Sequence, residues 1–283
     1  MFRAGPGVAA VSGDVAAENV IIKIADPASI ALAAARLAEV YPTMSAGRYR
    51  VPWLLAHDEA KGFMVMEDGR GQAAQRLYLS GAAGAAKAVA AAGGWLARFH
   101  KPTCHMGAFN PDPHLNWLHA QSAAHLDQSR HIPEFHAFQQ ALTQLDTDAA
   151  TARGQPVLRC VTHRDFHLRN LLIRNLGRCY GIDFENAKRD EALRDLLFFT
   201  ADAAKVAPAP PTADSLRAIA QPLRTHYART LGAATSRRVF QTAFALAGWA
   251  SLNTAAAPLG PNRERTLAVM QTMATTDDLF ADP

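Results

Sequence analysis

An α+β fold in two lobes is predicted for this chain, a small β-rich N-terminal lobe followed by a larger helical one, and three observations predict it. Extended runs dominate the first quarter: Asn19 to Ala25 is β-branched, and Gly62 to Met66 (G-F-M-V-M) ends at the acidic corner Glu67-Asp68-Gly69. Residues 157–185 then alternate apolar runs with polar and turn residues in the manner of a strand, a short loop and a hairpin. Finally, 283 residues at 49% hydrophobic and 19% charged suffice for two separate cores. The boundary is expected after Asp68, giving lobes of residues 1–68 and 69–283.

The chemistry is concentrated in the hairpin region. Residues 162–185 read T-H-R-D-F-H-L-R-N-L-L-I-R-N-L-G-R-C-Y-G-I-D-F-E, an H-x-D-x-x-x-x-N loop with a second aspartate, Asp183, eighteen residues after Asp165. Val157 to Val161 is an apolar run, Leu171 to Ile173 restarts it, and Asn175 to Gly177 turn the chain before Cys179 to Ile182. Antiparallel neighbours lie about 5 Å apart, so such a hairpin brings Asn170 close to Asp183. Phosphoryl transfer needs one carboxylate to orient the attacking hydroxyl and accept its proton. It also needs an amide oxygen and a second carboxylate to hold magnesium against a triphosphate. Asp165, Asn170 and Asp183 match those roles, as in the catalytic core of a kinase. A surface hairpin with incidental acids would need three residue types to coincide at two spacings.

The remaining elements follow in order. Lys23, the one cation of the Asn19 to Ala25 strand, resembles the V-A-I-K lysine and is the expected phosphate ligand. Gly5-Pro6-Gly7 and Ser12-Gly13-Asp14 are alternative turns over the nucleotide, although neither makes a G-x-G-x-x-G. Pro27 to Tyr41 reads as a helix capped by Asp26. Its one acid, Glu39, is the candidate partner of Lys23, with an exposed carboxylate near the helix end as the alternative. Met66 to Asp68 marks a hinge where adenine would bond to backbone. Ala83 to His100 is helical, weakened by Gly93-Gly94, with Trp95, Leu96 and Phe99 on one core-facing side. His100 and His105 read as packing or capping residues.

Composition excludes several classes. The net charge of +4 is mild and the basic residues are scattered, so no nucleic-acid partner is expected. Three cysteines without a C-x-x-C read as buried free thiols in a reducing compartment. The longest Ala-rich stretch is interrupted by Gly84 and Lys87, so no membrane association is expected and a cytoplasmic location is.

H-R-D-F-H-L-R-N-L-L with I-D-F-E, preceded by L-A-R-F-H and followed by L-R-D-L, resembles the aminoglycoside phosphotransferase and choline kinase family from Val20 to Leu196. The resemblance implies a bilobal protein-kinase-like fold, ATP and Mg2+ as cofactors, and a small-molecule hydroxyl as acceptor. It implies supporting roles for His163 and Arg164 of the H-R-D motif, and for Asp195, which steadies the catalytic loop. Glu185 stands where the family often carries an acid. Arg164 departs from the family's usual glycine, as in protein kinases. Asp195, however, follows Asp183 by only twelve residues and no A-P-E follows, which leaves little room for an activation segment. Arg164 is therefore expected to pair with a carboxylate or an anionic acceptor. His167 reads as a packed loop residue or a donor to the acceptor, and Arg169 as a solvated residue or an aid to the transferring phosphoryl group.

Beyond the Pro-rich stretch Ala207 to Pro211, helices are expected near Ser215 to Thr230, kinked at Pro222, and over Ser236 to Ala255. Arg217, Arg224, Arg229, Arg237, Arg238, Arg263 and Arg265 outnumber the local acids. A pocket built from them repels a polycation, which favours a neutral or anionic sugar or related metabolite over an aminoglycoside. Alternatively those arginines face water, and Asp112, Asp127, Glu134 and Asp146 line the pocket. A choline-type kinase, a protein kinase and a non-catalytic nucleotide-binding protein are the rival readings. Oligomeric state is left open.

Overall fold

The computed structural model describes residues 2–4, 19–174, 177–254 and 259–281. In chain order the first elements are β1 (Phe2–Ala4), β2 (Val20–Ile24), α1 (Pro27–Met44), β3 (Tyr49–Arg50), β4 (Leu54–Asp58), β5 (Phe63–Glu67), β6 (Gln72–Ala73), α2 (Ala74–Tyr78) and α3 (Ala82–His100). Then come β7 (His105–Ala108), α4 (Asp112–Leu126), α5 (Phe135–Ala152), β8 (Pro156–Thr162), β9 (Leu171–Ile173), β10 (Cys179–Gly181) and β11 (Lys188–Glu191). The chain finishes with α6 (Leu193–Val206), α7 (Ala213–Tyr227), α8 (Ala234–Ala250) and α9 (Pro261–Thr275).

These elements form two compact units, each discontinuous in sequence: Met1–Pro102 with His163–Lys188, and Thr103–Thr162 with Arg189–Pro283. The division expected after Asp68 falls inside the first unit. β3, which precedes that corner, pairs with β10 of the hairpin, and this ladder ties residues on both sides of Asp68 into one body.

In the first unit, β1, β2, β5 and β4 make an antiparallel sheet, with Lys23 opposite Met64 and a bulge between Leu54 and Ala56. α1 begins where Asp26 accepts a hydrogen bond from the Ser29 amide at 3.0 Å, with Pro27 in its first turn. It buries Ile30, Ala33, Ala34 and Leu37, the i, i+3, i+4, i+7 stripe of a helix packed on one side. Pro42 does not end it; the helix continues to Met44.

A second sheet of the same unit has the order β3-β10-β9-β6, with β10 antiparallel to β9 and parallel to β3. α3 buries Trp95, Leu96 and Phe99, and runs unbroken through Gly93-Gly94. The glycines, read as a weakness, serve packing: a Cβ on Gly94 would lie 2.1 Å from the Tyr49 hydroxyl, and one on Gly181 would lie 2.2 Å from the Trp95 ring. Trp95 stacks on Phe99 at 4.9 Å and on Phe166 at 5.4 Å between ring centroids. His163, fully buried, joins this cluster 5.4 Å from Phe184.

The second unit holds the sheet β11-β8-β7 and helices α4 to α9. Phe138, Phe240 and Trp249 are buried in it, and the Trp249 indole donates to the Pro133 carbonyl at 2.7 Å. A capping box between Thr212 and Ser215 opens α7, which contains Pro222 and ends where Ala228 turns left-handed, two residues before Thr230. The three cysteines are free, and Cys160 and Cys179 are buried. Among the described residues no helix is long and apolar enough to cross a membrane.

Candidate active site

The site is built in the first unit, where β2 of one sheet meets the hairpin of the other. Lys23 leaves β2 and its Nζ donates to Asp183 Oδ1 at 3.0 Å and, more closely, to Glu185. Burial alone would push the ammonium pKa down; the bonds to Glu185 and Asp183 outweigh it and hold the group above the ordinary lysine value. Lys23 is thus a fixed cation over two carboxylates. Asp183 sits just past β10 with left-handed backbone (φ 67°), which costs a non-glycine residue on the order of 1 kcal/mol and turns its carboxylate out of the strand line.

The hairpin register supplies the next contact. The Ile182 amide donates to the Asn170 carbonyl at 3.0 Å, so the residue before Asp183 is tied directly to Asn170. The Asn170 amide nitrogen donates to the Asp165 carbonyl at 2.9 Å and to Asp165 Oδ2 at 3.2 Å. With its nitrogen so used, the amide oxygen is the atom Asn170 has for a cation. His163 Nε2 donates to the Ile182 carbonyl at 2.9 Å, which anchors the start of the loop to the strand leading into Asp183.

Two residues beyond the sequence assignments enter here. Glu185 is the acid that pairs with Lys23; the motif I-D-F-E displayed it, but only the fold brings it to β2. Its Oε2 is buried without a hydrogen-bond partner. His167, whose Nδ1 accepts from the Arg169 amide at 3.2 Å, presents Nε2 3.7 Å from Asp165 Oδ2. At that separation the ring faces the carboxylate without a direct hydrogen bond to it.

Beside these groups lies an enclosed cavity of about 160 Å³ lined chiefly by Ile21, Pro52, Met66, Leu172, Tyr180 and Ile182, with Glu67 to Gly69 along one edge. Pro52, Met66 and Ile182 also border the hollow around Lys23, Asp183 and Glu185, so an apolar slot is continuous with a charged end. Met66 and Asp68 are buried, and Asp68 accepts from the Arg70 amide at 3.0 Å, bracing the corner.

Glu39 does not reach Lys23; it pairs with Arg36 at 2.7 Å, because position 39 lies off the Ile30, Ala33, Leu37 stripe and faces outward. Asp195 is fully buried in the first turn of α6, in the second unit, and Arg164 holds left-handed backbone (φ 66°). Gly5-Pro6-Gly7 and Ser12-Gly13-Asp14 lie outside the described residues. Most of the C-terminal arginines bond within their own unit. Arg237 pairs with Asp278, Arg265 donates to the carbonyls of Ala204, Ala207 and Ala209 at the end of α6, and Arg263 donates to Asn253. The expected wall of free guanidinium groups is therefore not what these residues form. The acids offered as the alternative lining are engaged as well: Asp112 with Arg153, Asp146 with His119, and Glu134 with Gln271.

A lysine bonded to two carboxylates, a loop aspartate bonded to an asparagine and an adjoining apolar slot make up the site. The profile of the phosphotransferase enzyme family matches residues 10–264, and the chain belongs to that family. It is a phosphotransferase with an alcohol group as acceptor, a small-molecule kinase. No curated protein matches the chain. Among solved structures it is similar to a choline kinase from Streptococcus pneumoniae, at 14% identity over 90% of this chain and 85% of that one, TM-score 0.52. Amicoumacin kinase in complex with AMP-PNP, Ca2+ and Ami is 14% identical over 90% and 81%, TM-score 0.57. Glucosamine kinase in complex with glucosamine, ADP and inorganic phosphate is 15% identical over 90% and 74%, TM-score 0.55. These matches share the α+β kinase-like fold.

Proposed function

We propose that the protein transfers the γ-phosphoryl group of ATP, with Mg2+, to a hydroxyl of a neutral or anionic small molecule, most simply a sugar derivative, in the cytoplasm. The observation that carries the nucleotide half is the bonding of Lys23 to Asp183 and Glu185 next to the apolar slot. Adenine fills the slot against Met66 and the backbone up to Asp68. Lys23 holds the phosphates, and Asp183 and Asn170 hold the metal. Two oxygen donors just outside the paired ends of neighbouring strands, with the buried Glu185 Oε2 beside them, suit a hard cation that keeps phosphate and water for its other positions.

Bound magnesium would neutralise charge developing on the transferring group. The chain's own residues do the rest. Asp165, held by Asn170 and faced by His167, accepts the acceptor's proton, and Lys23 fixes the phosphates in line. Glu185, not Glu39, fixes the lysine.

The acceptor class is supported by how the second unit spends its carboxylates. Asp112, Asp146, Asp190, Asp202 and Asp278 are paired with Arg153, His119, Arg194, Lys205 and Arg237, which disfavours a polycation needing several free acids. The test is an ATP-consumption screen over sugars, sugar acids, amino alcohols and aminoglycosides. Preference for an aminoglycoside by kcat/KM overturns the acceptor class; no turnover with any acceptor, despite tight binding of magnesium–ATP, favours the non-catalytic reading.

A further inference from the structure

The first unit holds a hollow far larger than the one around Lys23. A cleft of about 940 Å³ opens between the β9–β10 hairpin, α2 and α3, and none of its lining residues lines the Lys23 hollow or the apolar slot. Five cations line it: Arg48 just before β3, Arg70 after the Asp68 corner, Lys87 on α3, and Arg174 and Arg178 at the two inner ends of the hairpin. No carboxylate is among its lining residues. Its floor is apolar, with Leu77, Ala91 and Ile173.

Several arginines elsewhere in the molecule are matched to acids, as in Arg36–Glu39, Arg153–Asp112, Arg194–Asp190 and Arg237–Asp278. Among the described residues no carboxylate pairs with Arg48, Lys87, Arg174 or Arg178. Gathering like charges without counter-charge costs stability unless an anion supplies it. The cluster is also pre-organised. Arg48 Nε donates to the Gly177 carbonyl at 3.1 Å, and its guanidinium lies 5.4 Å from the centre of the Tyr49 ring. Arg174 and Arg178 are joined across the hairpin mouth, where the Arg174 amide donates to the Arg178 carbonyl at 2.8 Å. Two guanidinium groups at the mouth of one hairpin and a third locked onto it suit the forked geometry with which arginine grips phosphate.

We infer that this cleft is a second ligand site, for a small organic molecule carrying two or more phosphate groups, separate from the nucleotide site. The volume falls in the range of small-molecule pockets, about 300–1,000 Å³, which favours such a ligand over a flat macromolecular contact. The cations hold its phosphates and the apolar floor takes its carbon skeleton.

The test is isothermal titration of the full chain with inorganic pyrophosphate and with fructose 1,6-bisphosphate at about 0.15 M salt, where weak surface attraction is screened. Saturable binding of one equivalent of the bisphosphate is expected, weakened about tenfold or more by Arg174→Gln with Arg178→Gln and also weakened by Arg48→Gln. Lys23→Met should leave that affinity within about twofold. Should the double variant melt early, Lys87→Gln, on the exposed side of α3, gives the same readout. Binding of neither probe overturns the proposal. So does binding lost only with Lys23→Met, which places the anion in the nucleotide site, or binding of polyglutamate alone, which makes the cleft a protein-docking surface.

Discussion

Lys23 Nζ lies 3.0 Å from Asp183 Oδ1, a bond that joins the second strand of the chain to the end of the hairpin across 160 residues. With Glu185 on the same ammonium, it makes a charge cluster whose parts are worth little separately. Asp183→Asn keeps the shape and removes the charge. Turnover should be lost, and the melting temperature should stay close to wild type, because the side chain is partly exposed and polar. Wild-type activity in this variant would refute the assignment of the metal to Asp183.

Glu185 and Glu39 offer a direct comparison. Glu185→Gln should raise KM for ATP and lower kcat/KM by about tenfold or more, since an unanchored Lys23 loses its fixed position over the phosphates. Glu39→Gln breaks only an exposed pair with Arg36, a contact worth about 0.5 kcal/mol or less, and should leave both constants unchanged. Equal effects would mean that α1 moves Glu39 inward when nucleotide binds.

Asp165→Ala removes the group that orients the acceptor hydroxyl. ATP affinity should hold within a few-fold while kcat falls by roughly 10² or more, the signature of a group acting in the transition state. His167→Ala should produce a smaller loss of kcat, since its ring faces Asp165 at 3.7 Å. A fall in ATP affinity equal to the fall in kcat would make Asp165 a nucleotide ligand instead.

Gly181→Ala tests the core under the site. The added methyl carbon would stand 2.2 Å from the Trp95 ring, which is fully buried against Phe99 and Phe166 and has no room to withdraw. A loss of about 1–3 kcal/mol or more is expected by chemical denaturation. An unchanged midpoint would show that Trp95 can repack.

Glu191 makes a pH-dependent contribution to stability. Burial, and then the neighbouring Asp190, push its carboxyl up to about 7, above the unfolded value of 4.5. The sign follows: a raised folded pKa favours the protonated native form, so the stability is present below about 4.5 and is lost as pH rises through about 7. His114, pushed down to about 4 by burial and Arg194, acts with the opposite sign as pH falls below 6.5, so wild type alone does not isolate the effect. Thermal melts of Glu191→Gln against wild type do. The variant should gain relative stability between about pH 5 and about pH 8, and a difference independent of pH would refute the protonated state.

The loop from His163 to Asn170 and the acid at Asp183 could be read directly, because phosphoryl transfer demands particular residue types at short spacings and the hairpin between them is local. Lys23 and the Met66 to Asp68 corner were legible for the same reason, each lying at the end of a β-branched or apolar run. Glu39 was misplaced because helix periodicity gives a residue's angle around the axis only after the buried stripe is known, and Ile30, Ala33 and Leu37 define that stripe by packing.

The sequence by itself determined the α+β class and the family, and it set Asp165, Asn170 and Asp183 close together in one hairpin, since these depend on local pattern and on residue identity. Only the tertiary structure decided which charges meet. It gave Lys23 to Glu185, spent most of the C-terminal arginines on carbonyls and acids of their own unit, and gathered Arg48, Arg174 and Arg178 around one cleft. A charged side chain carries the same sequence signal whether it faces water, a partner or a ligand. Which of these it meets depends on long-range strand register and helix rotation, and both are set by burial of apolar surface elsewhere in the chain.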